Sequence, residues 1–419
     1  MPPRLRRALR EIAGLLLAMA IVGCVAGLAF AAPPRVLSGA WRDGSVGATV
    51  GTIAHPHLLD LSSGTNEAGV TLTLRPAWAV PDVDYPVGTS SGQTYKTFGV
   101  DTLPTCVYLS GNLVRTQGGC GNIVIDGWDF TTGYTLYMDG NFTNNLEVRN
   151  SKFALINNTN APLVQSQAAN QYLGDVWFHH NTFDGANFIG GNADYEIMCP
   201  SSGSILIEYN RFINSGGDAI DCGGYYDYPR GATIRYNSFV SIGTGGANVH
   251  GDAVQSWAGP GSANNPATPG LADINHFHVY GNLFYQPVAV AGVPTAANSF
   301  VRIGDLGTRV AWGPEIDHNV AVCIGNTGHN DPGSGGLTDS PACLQFAQLT
   351  GNNPPAGSIQ RPYVANNYVF TSGGGSYNTG TLQGFQNGPF YPTSGAFVFN
   401  GTWANNINMR DGSSLTTTP

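Results

Sequence analysis

The sequence predicts an all-β chain folded as a single-stranded, right-handed parallel β-helix, a solenoid with inserted loops. Three observations predict it. The composition is poor in charge and rich in turn formers: 419 residues, only 11% charged, with 57 Gly and 26 Pro. Such a balance suits strands and turns better than amphipathic helices. A short motif, apolar-x-x-Asn-x-aromatic, recurs along the chain. Between its copies lie Gly- and Pro-rich stretches at Gly259–Gly270, Gly325–Gly336 and Thr350–Pro362, which read as loops inserted into an otherwise regular coil.

The motif is clearest in FHHNTF (Phe178–Phe183), IEYNRF (Ile207–Phe212), IRYNSF (Ile234–Phe239) and VYGNLF (Val279–Phe284), with weaker copies from Ile316 and Val364. Its asparagines fall at 181, 210, 237, 282, 319 and 367, in steps of 29, 27, 45, 37 and 48. The shorter steps suit one coil of three short strands, and the longer steps suit the same coil with an insertion. A single coil cannot bury its apolar face. Stacking puts Ile207, Ile234 and Val279 in one interior column and Phe212, Phe239 and Phe284 in another. The Asn column sits where the chain turns. Asparagine tolerates the left-handed conformation and can bond its equivalent one coil away, so these residues are assigned to structure.

A second strand per coil follows from aligning Glu196–Cys199, Ala219–Cys222, Ala253–Ser256, Phe300–Ile303 and Cys343–Phe346. Ile197, Ile220, Val254, Val301 and Leu344 then point inward; Met198, Asp221, Gln255, Arg302 and Gln345 point outward. The same alignment stacks Cys199 on Cys222, within reach of a disulfide at a strand spacing of about 4.8 Å.

The N-terminus reads as an export signal. Arg4, Arg6, Arg7 and Arg10 precede an apolar run from Ile12 to Ala32, and Ala29-Phe30-Ala31 is an A-x-A cleavage site. An uncleaved membrane anchor is the rival, because the run is about long enough to span a bilayer. Cys24 lies inside this segment and leaves six cysteines: Cys106, Cys120, Cys199, Cys222, Cys323 and Cys343. They fall into three sequential pairs, and an even count fits an oxidising compartment: secreted, periplasmic or cell-surface. Their spacings are not those of a zinc site. Removing residues 1–31 takes away four arginines and one glutamate, which moves the formal charge from −9 to −12. With Lys96 and Lys152 the only lysines, this acidic surface argues against nucleic acid as a partner.

The resulting organisation is a signal peptide or anchor over 1–31, an N-terminal cap with opening coils over 32–119, the β-helix over 120–404, and a flexible polar tail over 405–419. The cap covers the first open edge. The tail frays.

On these coils the chain resembles the pectate-lyase-like superfamily of right-handed β-helices, over about residues 120–400. The resemblance implies polysaccharide as partner. The segment Gly217-Asp218-Ala-Ile-Asp221 and the Arg302-Ile-Gly run faintly resemble motifs of polygalacturonases, but the adjacent Asp-Asp pair of that family is absent and Gly304 stands where its Lys would be.

The best chemical constellation pairs Gly217-Asp218-Ala-Ile-Asp221 with Gly251-Asp252-Ala-Val-Gln255, 34 residues on, with His250 just before. Stacked, Asp218 and Asp252 would lie about 5 Å apart, with Asp221, Gln255 and Arg302 beside them and Trp257 offering a face for a sugar ring. Close carboxylates can share a proton and act as general acid, match retaining glycoside hydrolysis, or hold Ca²⁺. The candidates are therefore Asp218, Asp221, His250, Asp252 and Arg302 for catalysis, Gln255 and Trp257 for substrate, and Asp218 and Asp252 for an optional Ca²⁺; no cofactor is required. The competing account makes the aspartates turn caps. A second outward column, Asp126, Arg149, His179, Glu208, Arg235, Tyr280 and Asp317, alternates in charge. It reads as a salt-bridged face and as the second choice for a glycan groove. The two functional expectations are a polysaccharide lyase or glycoside hydrolase, and a non-catalytic glycan-binding or adhesion protein. Oligomeric state is open.

Overall fold

The computed structural model describes residues 74–138, 145–154, 163–166, 175–185, 195–199, 204–222, 231–244, 251–257, 274–275, 277–286, 289–290, 293–294, 297–304, 311–323, 345–349, 359–370, 390–392, 401–409 and 411–415. Within them the chain forms an all-β solenoid of three long sheets. Sheet A is ten-stranded, sheet B nine-stranded and sheet C eight-stranded. One coil reads Ser204–Glu208 in sheet B, Arg211–Ile213 in sheet C and Asp218–Asp221 in sheet A; the next reads Gly231–Arg235, Ser238–Val240 and Gly251–Trp257. Each strand pairs in parallel with its equivalent one coil on, as in Ile207↔Ile234 and Phe212↔Phe239. The one antiparallel pair within these three sheets is the opening hairpin of sheet A, Val107–Ser110 with Leu113–Thr116. The predicted insertions fall largely outside the described residues.

The interior follows from the motif. Ile207, Ile234 and Val279 are fully buried in register. The aromatic column Phe153, Phe183, Phe212, Phe239 and Phe284 stacks ring on ring at 4.6–5.0 Å. Each such pair adds about 0.5–1.5 kcal/mol beyond area burial. In sheet A the registers Ile197↔Ile220, Ile220↔Val254 and Val254↔Val301 match the aligned sequence. The last predicted step does not. Val301 pairs with Ala347 and Ser299 with Gln345, so Arg302 meets Gln348 rather than Gln345. The large residues decide it: Phe346 falls beside Phe300, and both are buried.

The asparagines form a ladder inside the corner between sheets B and C. Asn237 is typical. Its side-chain oxygen accepts from the backbone N–H of Asn210 at 2.9 Å, and its amide nitrogen donates to the Ile207 carbonyl at 2.9 Å and to Asn282 Oδ1 at 3.1 Å. The ladder continues past the predicted copies to Asn406, and Ser151 begins it, accepting from the Trp128 N–H. The predicted left-handed asparagine is displaced by one residue. The left-handed conformation belongs to the residue before each Asn: His180, Tyr209, Tyr236, Gly281 and His318. The tight turn is made there, which leaves the Asn side chain free to point inward.

Gly281 shows how strict that position is. Its φ is +66°, and a Cβ would stand 2.6 Å from the Tyr236 ring, which lies over it from the preceding coil. Gly281→Ala is expected to cost about 1–3 kcal/mol, from left-handed strain plus the displaced ring. A urea titration checks this as a lower midpoint at unchanged slope.

Residues 74–96 are not opening coils. They form a strap laid along the outer face of sheet C, running against coil order. The Leu74 N–H meets the Met409 carbonyl in the last coil, Trp78 packs edge-on against His318 and Tyr368, Gly88 donates to Tyr209, and Lys96 pairs with Gly127 near the first coil. Val80 and Val83 close a second apolar core with Val240, Leu283, Tyr285, Val320, Val322, Phe370 and Met409. The strap is pinned by a buried ion pair, Arg211 Nη2 to Asp82 Oδ2 at 2.7 Å. Beside it, Gly88 sits so close to Thr182 and Arg211 that a Cβ would lie within 2.8 Å of both. In the residues that follow, Phe98 packs against Trp128 and Phe130.

The β-helix also runs past residue 404. Ile407–Asn408 is a strand of sheet C, and the Leu415 N–H bonds the Asn406 carbonyl while the Trp403 indole bonds the Leu415 carbonyl. Residues 405–415 therefore close the last coil.

Two disulfides match the pairing, Cys106–Cys120 and Cys199–Cys222, the second joining adjacent coils. Cys323 is disulfide-bonded and buried, while Cys343 lies outside the described residues. Disulfides fit an oxidising environment. Among the described residues no helix is long and apolar enough to cross a membrane.

Candidate functional site

The sheet A constellation is brought together, in part. Asp218 and Asp252 occupy equivalent places in adjacent coils. Each is followed by two residues that both enter the core, Ala219 and Ile220 in one coil and Ala253 and Val254 in the next. The break in strand alternation brings the fourth residue, Asp221 or Gln255, back to the side of the first. Asp221 pairs with Gln255, and Gln255 with Arg302.

The chemistry there is that of a buried ladder. Asp218 is 2% exposed, Asp252 and Asp221 are 0% and Gln255 is 5%. One oxygen of each paired aspartate accepts from backbone one coil on: Asp218 Oδ1 from the Asp252 N–H at 2.7 Å, and Asp252 Oδ1 from the Ser299 N–H at 2.8 Å and from the Ser299 hydroxyl. The other oxygens converge on the Gln255 amide, which, turned so that its nitrogen faces them, donates to Asp218 Oδ2 at 2.7 Å and to Asp252 Oδ2 at 3.1 Å. Arg302 Nη1 lies 3.5 Å from Asp252 Oδ2. The expected surface column at Asp221, Gln255 and Arg302 is thus a covered polar cluster, with Arg302 the least buried member. His250 and the Trp257 side chain lie outside the described residues. Among the described residues no group of three or more His, Cys, Asp or Glu side chains is placed to hold a metal ion.

The outer face of sheet B is different. The predicted column is in register from Asp126 through Arg149, His179, Glu208, Arg235 and Tyr280 to Asp317. Its charges are bonded laterally. Arg149 bridges Asp126 at 3.0 Å and Glu147 at 2.7 Å, and Arg235 holds Glu208 at 2.6 Å and the Tyr280 hydroxyl at 2.6 Å. Burial alone would raise the Asp126 carboxyl; hydrogen bonds from Asn150 and Arg149 outweigh it and hold the group below its ordinary value. Glu147 is lowered in the same way by His179 and Arg149, and Asp317 by His278 and His318.

Two positions before the column residues runs a second outward line that the sequence pattern did not single out: Val124, Glu147, Trp177, Leu206, Thr233, His278, Glu315 and Tyr363. Strand alternation was the signal that would have found it. Trp177 stands 38% exposed, stacks on His179 at 4.0 Å and donates its indole N–H to Glu208 at 3.1 Å. His278 stacks on Tyr280 at 4.2 Å. At the adjoining corner the left-handed residues add rings at 5.2 Å (His180–Tyr209) and 5.4 Å (Tyr209–Tyr236). The tautomers of the histidine pair are fixed by their partners. His179 Nε2–H donates to Glu147, so its Nδ1 accepts from His180 Nδ1–H at 2.8 Å. Burial and the neighbouring His179 push the His180 pKa down to about 4, and burial lowers His179 as well.

Side by side, the two faces separate cleanly. Sheet A offers buried carboxylates, two of which, Asp218 and Asp252, are engaged by backbone N–H groups one coil on. Sheet B offers flat rings, oriented carboxylates and guanidinium edges to solvent. Comparison of the chain with protein-family models, with curated proteins and with solved structures returns no match, so the functional conclusion rests on this geometry.

Proposed function

We propose that the chain is an exported β-helix protein that binds carbohydrate on the outer face of sheet B without acting on it. The observation that supports this most directly is Trp177. An exposed indole, held flat against His179 and tethered to Glu208, offers a ring to the C–H face of a sugar, with carboxylate and guanidinium groups alongside for its hydroxyls. The export signal, the disulfides and the resemblance to pectate-lyase-like β-helices support an extracytoplasmic polysaccharide as the partner.

A second reading, a lyase or hydrolase at Asp218 and Asp252, is favoured by one feature: the Oδ2 atoms of both converge on Gln255 and Arg302, an arrangement a turn cap does not need.

One experiment separates them. The chain from residue 32 onward is run on affinity gels against a polysaccharide panel, and the same mixtures are assayed for reducing ends and unsaturated uronates. Retardation that weakens about tenfold or more in Trp177→Ala, with no product formed, is the expected result. Product that disappears in Asp252→Asn would overturn it in favour of the enzyme.

A further inference from the structure

Resting on the binding reading above, we infer that the ligand of sheet B is an uncharged, extended glycan chain lying parallel to the solenoid axis. Periodicity and charge both point there.

The strands of this face are three to five residues long, so a ligand crossing the sheet meets few outward side chains before it reaches an edge. Along the axis, equivalent positions recur in register at the strand spacing of about 4.8 Å. A stretched polymer of sugar rings advances by a similar distance per ring, so an axial chain meets a new coil with nearly every unit. The rings are spread along that direction. Trp177 lies in one coil, backed by the buried His179, and His278 with Tyr280 lies three coils on, with the stacked corner rings Tyr209 and Tyr236 in the coils between.

The charge pattern selects the chemistry. Both arginines of the face are engaged by carboxylates, Arg149 by Asp126 and Glu147, and Arg235 by Glu208. A polyanionic glycan would have to break these ion pairs and approach Asp126, Glu147, Glu208, Glu315 and Asp317 besides. A polycation would compete with the same arginines for the same carboxylates. A neutral chain needs neither exchange. Its hydroxyls donate to the carboxylate lone pairs left over and accept from guanidinium N–H groups, and its ring faces lie on the exposed rings, Trp177 first.

The test uses calorimetry on the exported chain with neutral linear oligosaccharides of increasing length, a polyuronate and a polyaminosaccharide, each at low and high salt. Affinity for neutral oligomers should climb with length until the chain spans the coils from Trp177 to Tyr280, then level off, with little salt dependence. Trp177→Ala should weaken short and long oligomers alike, Trp177→Phe should restore most of the loss, and Tyr280→Phe should weaken only the long ones. Tighter, salt-sensitive binding of either charged polymer would overturn the ligand class while leaving carbohydrate binding standing. Affinity that ignores length would overturn the axial arrangement. No binding to any glycan would sink the underlying binding reading itself.

Discussion

Asn237→Ala is expected to destabilise the protein by about 3–5 kcal/mol, more than deleting most single contacts in a solenoid of this kind. The side chain is fully buried and satisfies three backbone groups: the Asn210 N–H and the carbonyls of Ile207 and Arg235. Alanine supplies no replacement, and each buried group left without a partner costs about 1–3 kcal/mol. Two comparison variants make the cause visible. Asn237→Ser should cost less, because Ser151 already serves in the same ladder, accepting from Trp128 and donating to the Arg149 carbonyl. Asn237→Asp should be at least as harmful as alanine, because a carboxylate cannot donate to Ile207 and its charge would be buried. Urea unfolding gives all three values. An alanine variant within about 1 kcal/mol of the parent would show that water or relaxation replaces the ladder.

Arg211→Met is expected to cost about 3–5 kcal/mol, because it leaves the Asp82 carboxyl group 3% exposed with its ion-pair partner gone. Burial pulls the guanidinium pKa down, and the Asp82 charge only partly offsets it. Asp82→Asn combined with Arg211→Met should be milder than the sum of the single changes, since no charge is then left stranded. The double-mutant cycle measures that coupling, and additivity would mean the two groups do not depend on each other.

The repeat was legible because it is local. Apolar alternation and one Asn per coil were enough to place Ile207 over Ile234, Phe212 over Phe239, and Cys199 beside Cys222. It failed in sheet A beyond Arg302, where Cys343-Leu-Gln-Phe imitates Phe300-Val-Arg-Ile in hydrophobic pattern; the true partner of Phe300 was signalled by residue size, in Phe346. The strap was not legible, since Val80, Asp82 and Val83 meet residues far along the chain and repeat nothing. At the candidate site the sequence brought Asp218, Asp252, Gln255 and Arg302 together correctly. It raised backbone engagement of the aspartates as the competing account, but not that the donors would be the N–H groups of Asp252 and Ser299 one coil on, because that depends on register to within one residue. Trp177 lies one residue before the motif that starts at Phe178, so no repeat signature marks it.

Proteins made of stacked repeats ordinarily behave as one-dimensional chains, in which each unit feels only its neighbours and the ends peel away first. The strap changes that dimensionality. Residues that precede every described coil lie against Met409 in the last described one, so that turn cannot detach without also lifting a segment seated on Tyr368, Leu283 and Arg211. Fraying at one end becomes an event felt along the whole rod. The molecule gains cooperativity that its repeats alone would not confer, and its assembly waits on contacts between segments more than 300 residues apart, Leu74 and Met409.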